Sequence, residues 1–416
     1  MARRKMTSRK QLSFDPNARS YPHDTSYLDG GRVWYWVVRA GSIICGLAVL
    51  SLVALLVTNY WSLIYSLFTV PGYLMGSVTE PTFYLLVPFP GILMPVYMGT
   101  GGMEAVIYYF FLAVILLLAI GIMIKKEGRH FLSIASLAIR RKKAPPADVN
   151  NSFIMLFQLF MALLFVNMII ITVHTLLTGN SPSVPESLGE STVIEKRLYM
   201  LANASVYEEI VTRILLLGLP LYFVAILTKK KDRTWYKYLL GGNIKIGFGA
   251  FFFALFSASL FGIAHLSWGA WKVIPTVISG LAFSYIFLKK GVFPAIVFHF
   301  LFDYLGMGGS IIEHSGYSAT GYNILFSILL LLWLHAGIRY FTHYTLRSVF
   351  FAYNAFMKFF KKSARQLRIK LRTEAVLSLL ILLIFWYLFY LNLNENINTS
   401  GGRGTIAYLF RMFIGL

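Results

Sequence analysis

Residues 198–227 read LYMLANASVYEEIVTRILLLGLPLYFVAIL, an apolar run whose charged residues are Glu208, Glu209 and Arg213. A run of this length is enough to cross the hydrocarbon core of a bilayer, which needs about 20 apolar residues. An ionisable group placed there costs at least roughly 2.5–3.5 kcal/mol on insertion scales, so it marks a working site by default. The run therefore decides two things together: the chain lies in a membrane, and the middle of the membrane holds chemistry.

The rest of the sequence agrees. Hydrophobic residues make up 57% of the 416 and charged residues 13%, where a soluble chain has about 25% charged. The expected fold class is all-α, a polytopic transmembrane helical bundle of about 8–9 spans with the N-terminus cytoplasmic. Spans are expected near 38–58, 105–124, 153–177, 198–227, 247–266, 273–288, 291–306, 323–340 and 374–392. Segment 60–98 is apolar but carries Pro71, Pro81, Pro88, Pro90 and Pro95, a density expected to preclude a regular helix and to give a re-entrant or interfacial loop. The single cysteine, Cys45, permits no intrachain disulfide. The first 32 residues are polar and basic with no apolar core, so the first span is expected to serve as an uncleaved anchor.

The net charge of +21 suggests nucleic acid until its placement is read. Lys and Arg number eight in 1–39, seven in 125–152, six in 229–245 and eight in 341–373, and none occurs in 59–104 or 306–322. That alternation is the positive-inside pattern, and it points to lipid and not to nucleic acid as the partner of the basic segments. The stretch 344–372 mixes aromatics with Lys358, Lys361, Lys362, Arg365, Arg368, Lys370 and Arg372, the pattern of a basic amphipathic helix on the cytoplasmic surface.

Three short pieces carry the chemistry. Glu209 and Arg213 stand at i, i+4 on one helix face, acid first, the better order for an ion pair. Glu208 points about 100° away on a regular helix, free to face a polar cavity. His265 closes the apolar stretch as Phe261-Gly-Ile-Ala-His265. His299 and Asp303 again stand at i, i+4, just after Pro294, so the carboxylate can fix the tautomer of the imidazole. A carboxylate and two imidazoles around a water are machinery for hydrolysis, because a Glu taken out of water is a stronger base. The His–Asp unit could stabilise an oxyanion or hold a metal.

Glu-Glu-x3-Arg, Phe-x3-His and His-x3-Asp, in this order and each on its own apolar span, resemble the CPBP family of intramembrane proteases, relatives of the type 2 CAAX prenyl endopeptidase. The resemblance covers roughly 150–306. It implies that Glu208 and His265 activate the attacking water, that His299 and Asp303 line the oxyanion pocket, and that Glu209 and Arg213 support them. The family is described both as metal-dependent and as glutamate-based; Glu208, His265 and His299 form a donor set that suits zinc, and neither a metal nor its absence follows from the residues. Asp303 stands where Asn is frequent, which adds a charge.

The chain then divides into a basic cytoplasmic segment, 1–37; two spans with a Pro-rich outer loop, 38–149; the CPBP-like catalytic core, 150–306; and two further spans with the basic amphipathic segment and an outer tail, 307–416. The charge pattern places Glu208, His265 and Asp303 toward the outer side of the plasma membrane. The expected substrate is accordingly a membrane-anchored or exported protein or peptide, not a cytosolic prenylated one. Two other readings use the same residues: an inactive family member acting as a membrane scaffold or immunity partner, and a proton-coupled transporter. The transporter reading calls for inverted repeats with broken helices, and no such duplication is visible in the sequence.

Overall fold

The computed structural model describes residues 30–76, 82–87, 92–97, 102–134, 151–178, 193–228, 234–266 and 269–361. Helix α1 spans Gly30–Gly76, and strands β1 (Thr82–Val87) and β2 (Ile92–Tyr97) form an antiparallel ribbon. The other helices are α2 (Met103–Ile134), α3 (Ser152–Thr178), α4 (Ile194–Leu227), α5 (Trp235–Leu239), α6 (Phe248–Ala264), α7 (Val273–Lys290), α8 (Val292–Asp303), α9 (Met307–His314) and α10 (Thr320–Lys361). Among the described residues six helices are long and apolar enough to cross a membrane. They become seven if α8 and α9, bent by 53°, count as one broken span. The chain is an integral membrane protein with a helical bundle fold. The expected span at 374–392 lies outside the described residues, and the expected span at 247–266 is a shorter helix, α6, of 17 residues.

The first helix corrects one expectation. Instead of ending near residue 58, α1 continues through Pro71 to Gly76. Its polar residues do not end it because the bundle satisfies them. Asn59 is buried and donates to the Leu301 carbonyl at 3.4 Å, and Ser66 meets the Tyr109 hydroxyl at 2.5 Å. Pro71 removes one backbone donor and sits within the last two turns, where the loss is small. Pro95, within β2, stands opposite Tyr84 in a ribbon where both strands are edges, a setting that tolerates proline.

Helix α10 also runs further than its apolar stretch. Its 42 residues would measure about 63 Å at 1.5 Å per residue, against a hydrocarbon core of about 30 Å. The eighth span and the first part of the basic stretch from Tyr344 thus form one helix up to Lys361. Residues 362–372 lie outside the described residues. Buried Trp333 of α10 donates to Ser51 of α1 at 2.6 Å and packs edge-on against Phe160 of α3, locking three spans together.

The site is positioned by the close approach of α6 and α7. A Cβ added to Gly280 would lie 2.9 Å from the Cα of Ala258 and 3.2 Å from the Phe261 ring. Membrane helices use such small residues to bring backbones together. Ordinarily Gly→Ala inside a helix stabilises by about 1 kcal/mol. Here the sign should reverse. Gly280→Ala is expected to lower stability by about 1–3 kcal/mol through overpacking, read as a lower melting temperature in detergent; an unchanged or higher value would show that the two helices can part without cost.

Candidate active site

Helix α4 is regular only at its ends. Ala204–Glu208 and Ile210–Gly218 are wound as π-helix, a form that is rare and concentrates at functional sites. The two acids lie at the junction of these turns. Glu209 and Arg213 are fully buried, and Arg213 Nε donates to Glu209 Oε2 at 3.2 Å. Arg213 Nη1 also donates to Ser257 Oγ on α6 at 3.0 Å and to Ser284 Oγ on α7 at 3.2 Å. Its guanidinium lies 5.6 Å and 5.4 Å from the ring centroids of Phe261 and Phe283. One cation therefore ties three helices, while its Nη2 is buried without a hydrogen-bond partner among the described residues.

Glu209 has a second duty. Its Oε1 accepts from His299 Nδ1 at 3.1 Å. A carboxylate can only accept, so Nδ1 carries the proton and the ring's working atom is Nε2. The sequence pattern assigned this orienting role to Asp303 on the same helix. Asp303 lies instead on the other nitrogen, with Oδ1 3.6 Å from His299 Nε2, while its Oδ2 is 2.8 Å from Ser205 Oγ. The Ser205 hydroxyl is 2.8 Å from the Leu201 carbonyl as well, so one proton is shared between two acceptors.

Glu208 completes the cluster. Its Oε2 is 3.7 Å from His299 Nε2, too long for a hydrogen bond. That oxygen is buried and has no hydrogen-bond partner among the described residues. The side chain as a whole is 29% exposed, while that of Glu209 is fully buried. Adjacent in sequence, the two acids differ in position: one is structural, the other faces the Nε2 side of His299.

His265 stands at the C-terminal end of α6, and its Nδ1 is 2.9 Å from the Phe261 carbonyl. The carbonyl fixes the proton on Nδ1, leaving Nε2 as the acceptor in the neutral ring. Both imidazoles pack edge-on against Phe261, His265 at 4.8 Å and His299 at 6.0 Å between centroids. Phe283 covers His299 from α7 at 4.8 Å. All six residues singled out from the sequence thus belong to one neighbourhood. No group of three or more His, Cys, Asp or Glu among the described residues is arranged to hold a metal ion.

Several neighbours escaped the sequence. Ser205, Ser257 and Ser284 are ordinary residues until their helices meet. Phe261, noted only as the start of the Phe-x3-His motif, is the common wall of both imidazoles. Lys272, in the turn before α7, holds its ammonium 5.5 Å from the Trp271 ring. A signal for it existed: Lys272 is the one Lys or Arg between Lys245 and Lys289.

Neither a curated protein nor a solved structure matches the chain. Residues 192–305 match the family model described as Type II CAAX prenyl endopeptidase Rce1-like. That segment runs from the start of α4 to just beyond α8 and holds every residue of the cluster. Over this segment, about a quarter of the chain, the protein is similar to the CAAX-protease-like family.

Proposed function

We propose that this protein is an intramembrane endopeptidase that hydrolyses a peptide bond of a membrane-anchored or exported protein or peptide. The observation that carries the reading is Glu208 Oε2, a buried oxygen without a hydrogen-bond partner among the described residues, set beside an imidazole held by Glu209. Glu208 takes a proton from water as the water oxygen attacks the scissile carbonyl carbon. His265 Nε2, an acceptor in the neutral ring, helps to hold that water. The oxyanion forms beside His299 and Asp303, where His299 in its imidazolium form, with Nδ1–H held by Glu209, donates its Nε2–H to it. As the C–N bond breaks, the proton passes from Glu208 to the leaving nitrogen. Products are a carboxylate and an amine, and every step uses residues of this chain.

The Lys and Arg distribution supports a site that opens to the outer side of the plasma membrane, with lipid and the anchored substrate as partners. The test is cleavage of membrane-anchored peptides by the protein in proteoliposomes made in ¹⁸O-water. Expected is one ¹⁸O in each new carboxylate, with the products on the side away from the basic loops. Glu208-dependent ion flux without cleavage would replace this reading with a transporter. Cellular function retained in full by Glu208→Ala would replace it with a scaffold.

A further inference from the structure

At the basic end of the bundle a cleft of about 430 Å³ is lined by Lys126, Tyr236, Lys237, Lys290, Gly291 and Phe293 among others. We propose that this cleft binds the phosphate of an anionic phospholipid headgroup.

Its cations come from three separate elements: Lys126 from the π-wound turn of α2, Lys237 from α5, and Lys290 from the last turn of α7. Three lysines on a shared cleft repel one another, and a bound anion offsets that repulsion. The nearby carboxylate of Glu127 accepts from Lys290 Nζ at 3.4 Å, from Ser152 Oγ at 2.8 Å and from the Ser152 backbone N–H.

The floor is rigid. Gly291, at φ +103°, ends α7, and a Cβ there would lie 2.9 Å from the Leu240 carbonyl. The segment after α5 is stitched to the end of α7 and the start of α8: Gly242 N–H donates to Phe287 at 2.8 Å, Ile244 N–H to Leu288 at 2.8 Å, and Val292 N–H to Leu240 at 2.8 Å. The Lys290 side chain is only 12% exposed, so its ammonium is held within the cleft.

Position argues for lipid as the source of the phosphate. The cleft lies where α2 and α7 turn from apolar to basic, the level of the headgroups. Trp235 and Tyr236 beside it are 58% and 54% exposed, as expected of rings at a membrane–water interface. Basic pockets between membrane helices are suited to anionic headgroups, and each lysine near such a surface counts for roughly fivefold in affinity. Phe293 and His299 are six residues apart on α8, about 9 Å along its axis, so the cleft and the acid cluster are different sites on one helix.

The experiment uses the full chain in neutral detergent, following the melting temperature with added dihexanoyl phosphatidylglycerol, dihexanoyl phosphatidylcholine or inorganic phosphate. Expected is a saturable rise with phosphatidylglycerol alone. The double variant Lys126→Gln/Lys237→Gln keeps the Lys290–Glu127 pair and should bind phosphatidylglycerol about thirtyfold more weakly. Equal shifts with the two lipids, or an unchanged midpoint in the double variant, would overturn the proposal. A rise with inorganic phosphate as large as with phosphatidylglycerol would assign the cleft to a free anion and overturn the lipid source.

Discussion

Glu208→Gln should reduce peptide cleavage by about two to four orders of magnitude, the usual contribution of a positioned general base, while leaving the melting temperature close to that of the native chain. The asymmetry follows from what the side chain touches. Its Oε2 makes no hydrogen bond among the described residues, and it has no part in the ion pair that holds α4 to α6 and α7. An amide of the same shape therefore costs the fold little, but it cannot accept the water proton. Asp303→Asn is the informative companion. Asn keeps an oxygen able to accept from Ser205, and Asn is frequent at this place in the motif, so the loss there should stay within about tenfold. Rates would be measured on one anchored peptide, with both variants checked for melting temperature. Native turnover by Glu208→Gln would remove Glu208 from the chemistry; a large loss in Asp303→Asn would mean that its charge, and not only its oxygen, is needed.

What the sequence made legible was local. Glu209 with Arg213, and His299 with Asp303, are four residues apart, and helical spacing alone places each pair on one face. The same rule hides partners that are distant in sequence. Glu209 and His299 are 90 residues apart, so the carboxylate that orients the imidazole could not be told from the one beside it on its own helix. Arg213 finds Ser257 and Ser284 at separations of 44 and 71 residues. His314 lacks an acid at helical spacing, yet its Nε2 is 3.4 Å from Glu195 on another helix. The π winding of α4 was hidden for a different reason, because periodicity arguments assume a constant 3.6 residues per turn. The end of the first span was misread where prolines signalled a break. The prolines of 60–98 argued against a helix there, but α1 runs on through Pro71, with Asn59 and Ser66 as buried hydrogen-bonding groups of the bundle.

Arg213→Met should be the most destabilising of the site substitutions, costing about 3–5 kcal/mol, because it leaves Glu209 as a buried acid without its cation. The loss lies in breaking the pair, not in the absence of charge, and double variants can separate the two. Glu209→Gln with Arg213→Met removes both charges, and the Gln oxygen can still accept from His299 Nδ1, now 3.1 Å from Glu209. Stability should recover by more than half, and measurable cleavage should persist. Glu209→Leu with Arg213→Met should recover stability similarly but lose cleavage, since nothing then fixes the proton on Nδ1 and the presentation of Nε2 toward Glu208. Melting temperature and turnover measured on the same four proteins would test this. If both doubles are as unstable as Arg213→Met alone, the loss comes from the contact of the guanidinium with the Phe261 and Phe283 rings. If both cleave equally well, Glu209 does not orient His299, and the imidazole is held by its aromatic walls alone.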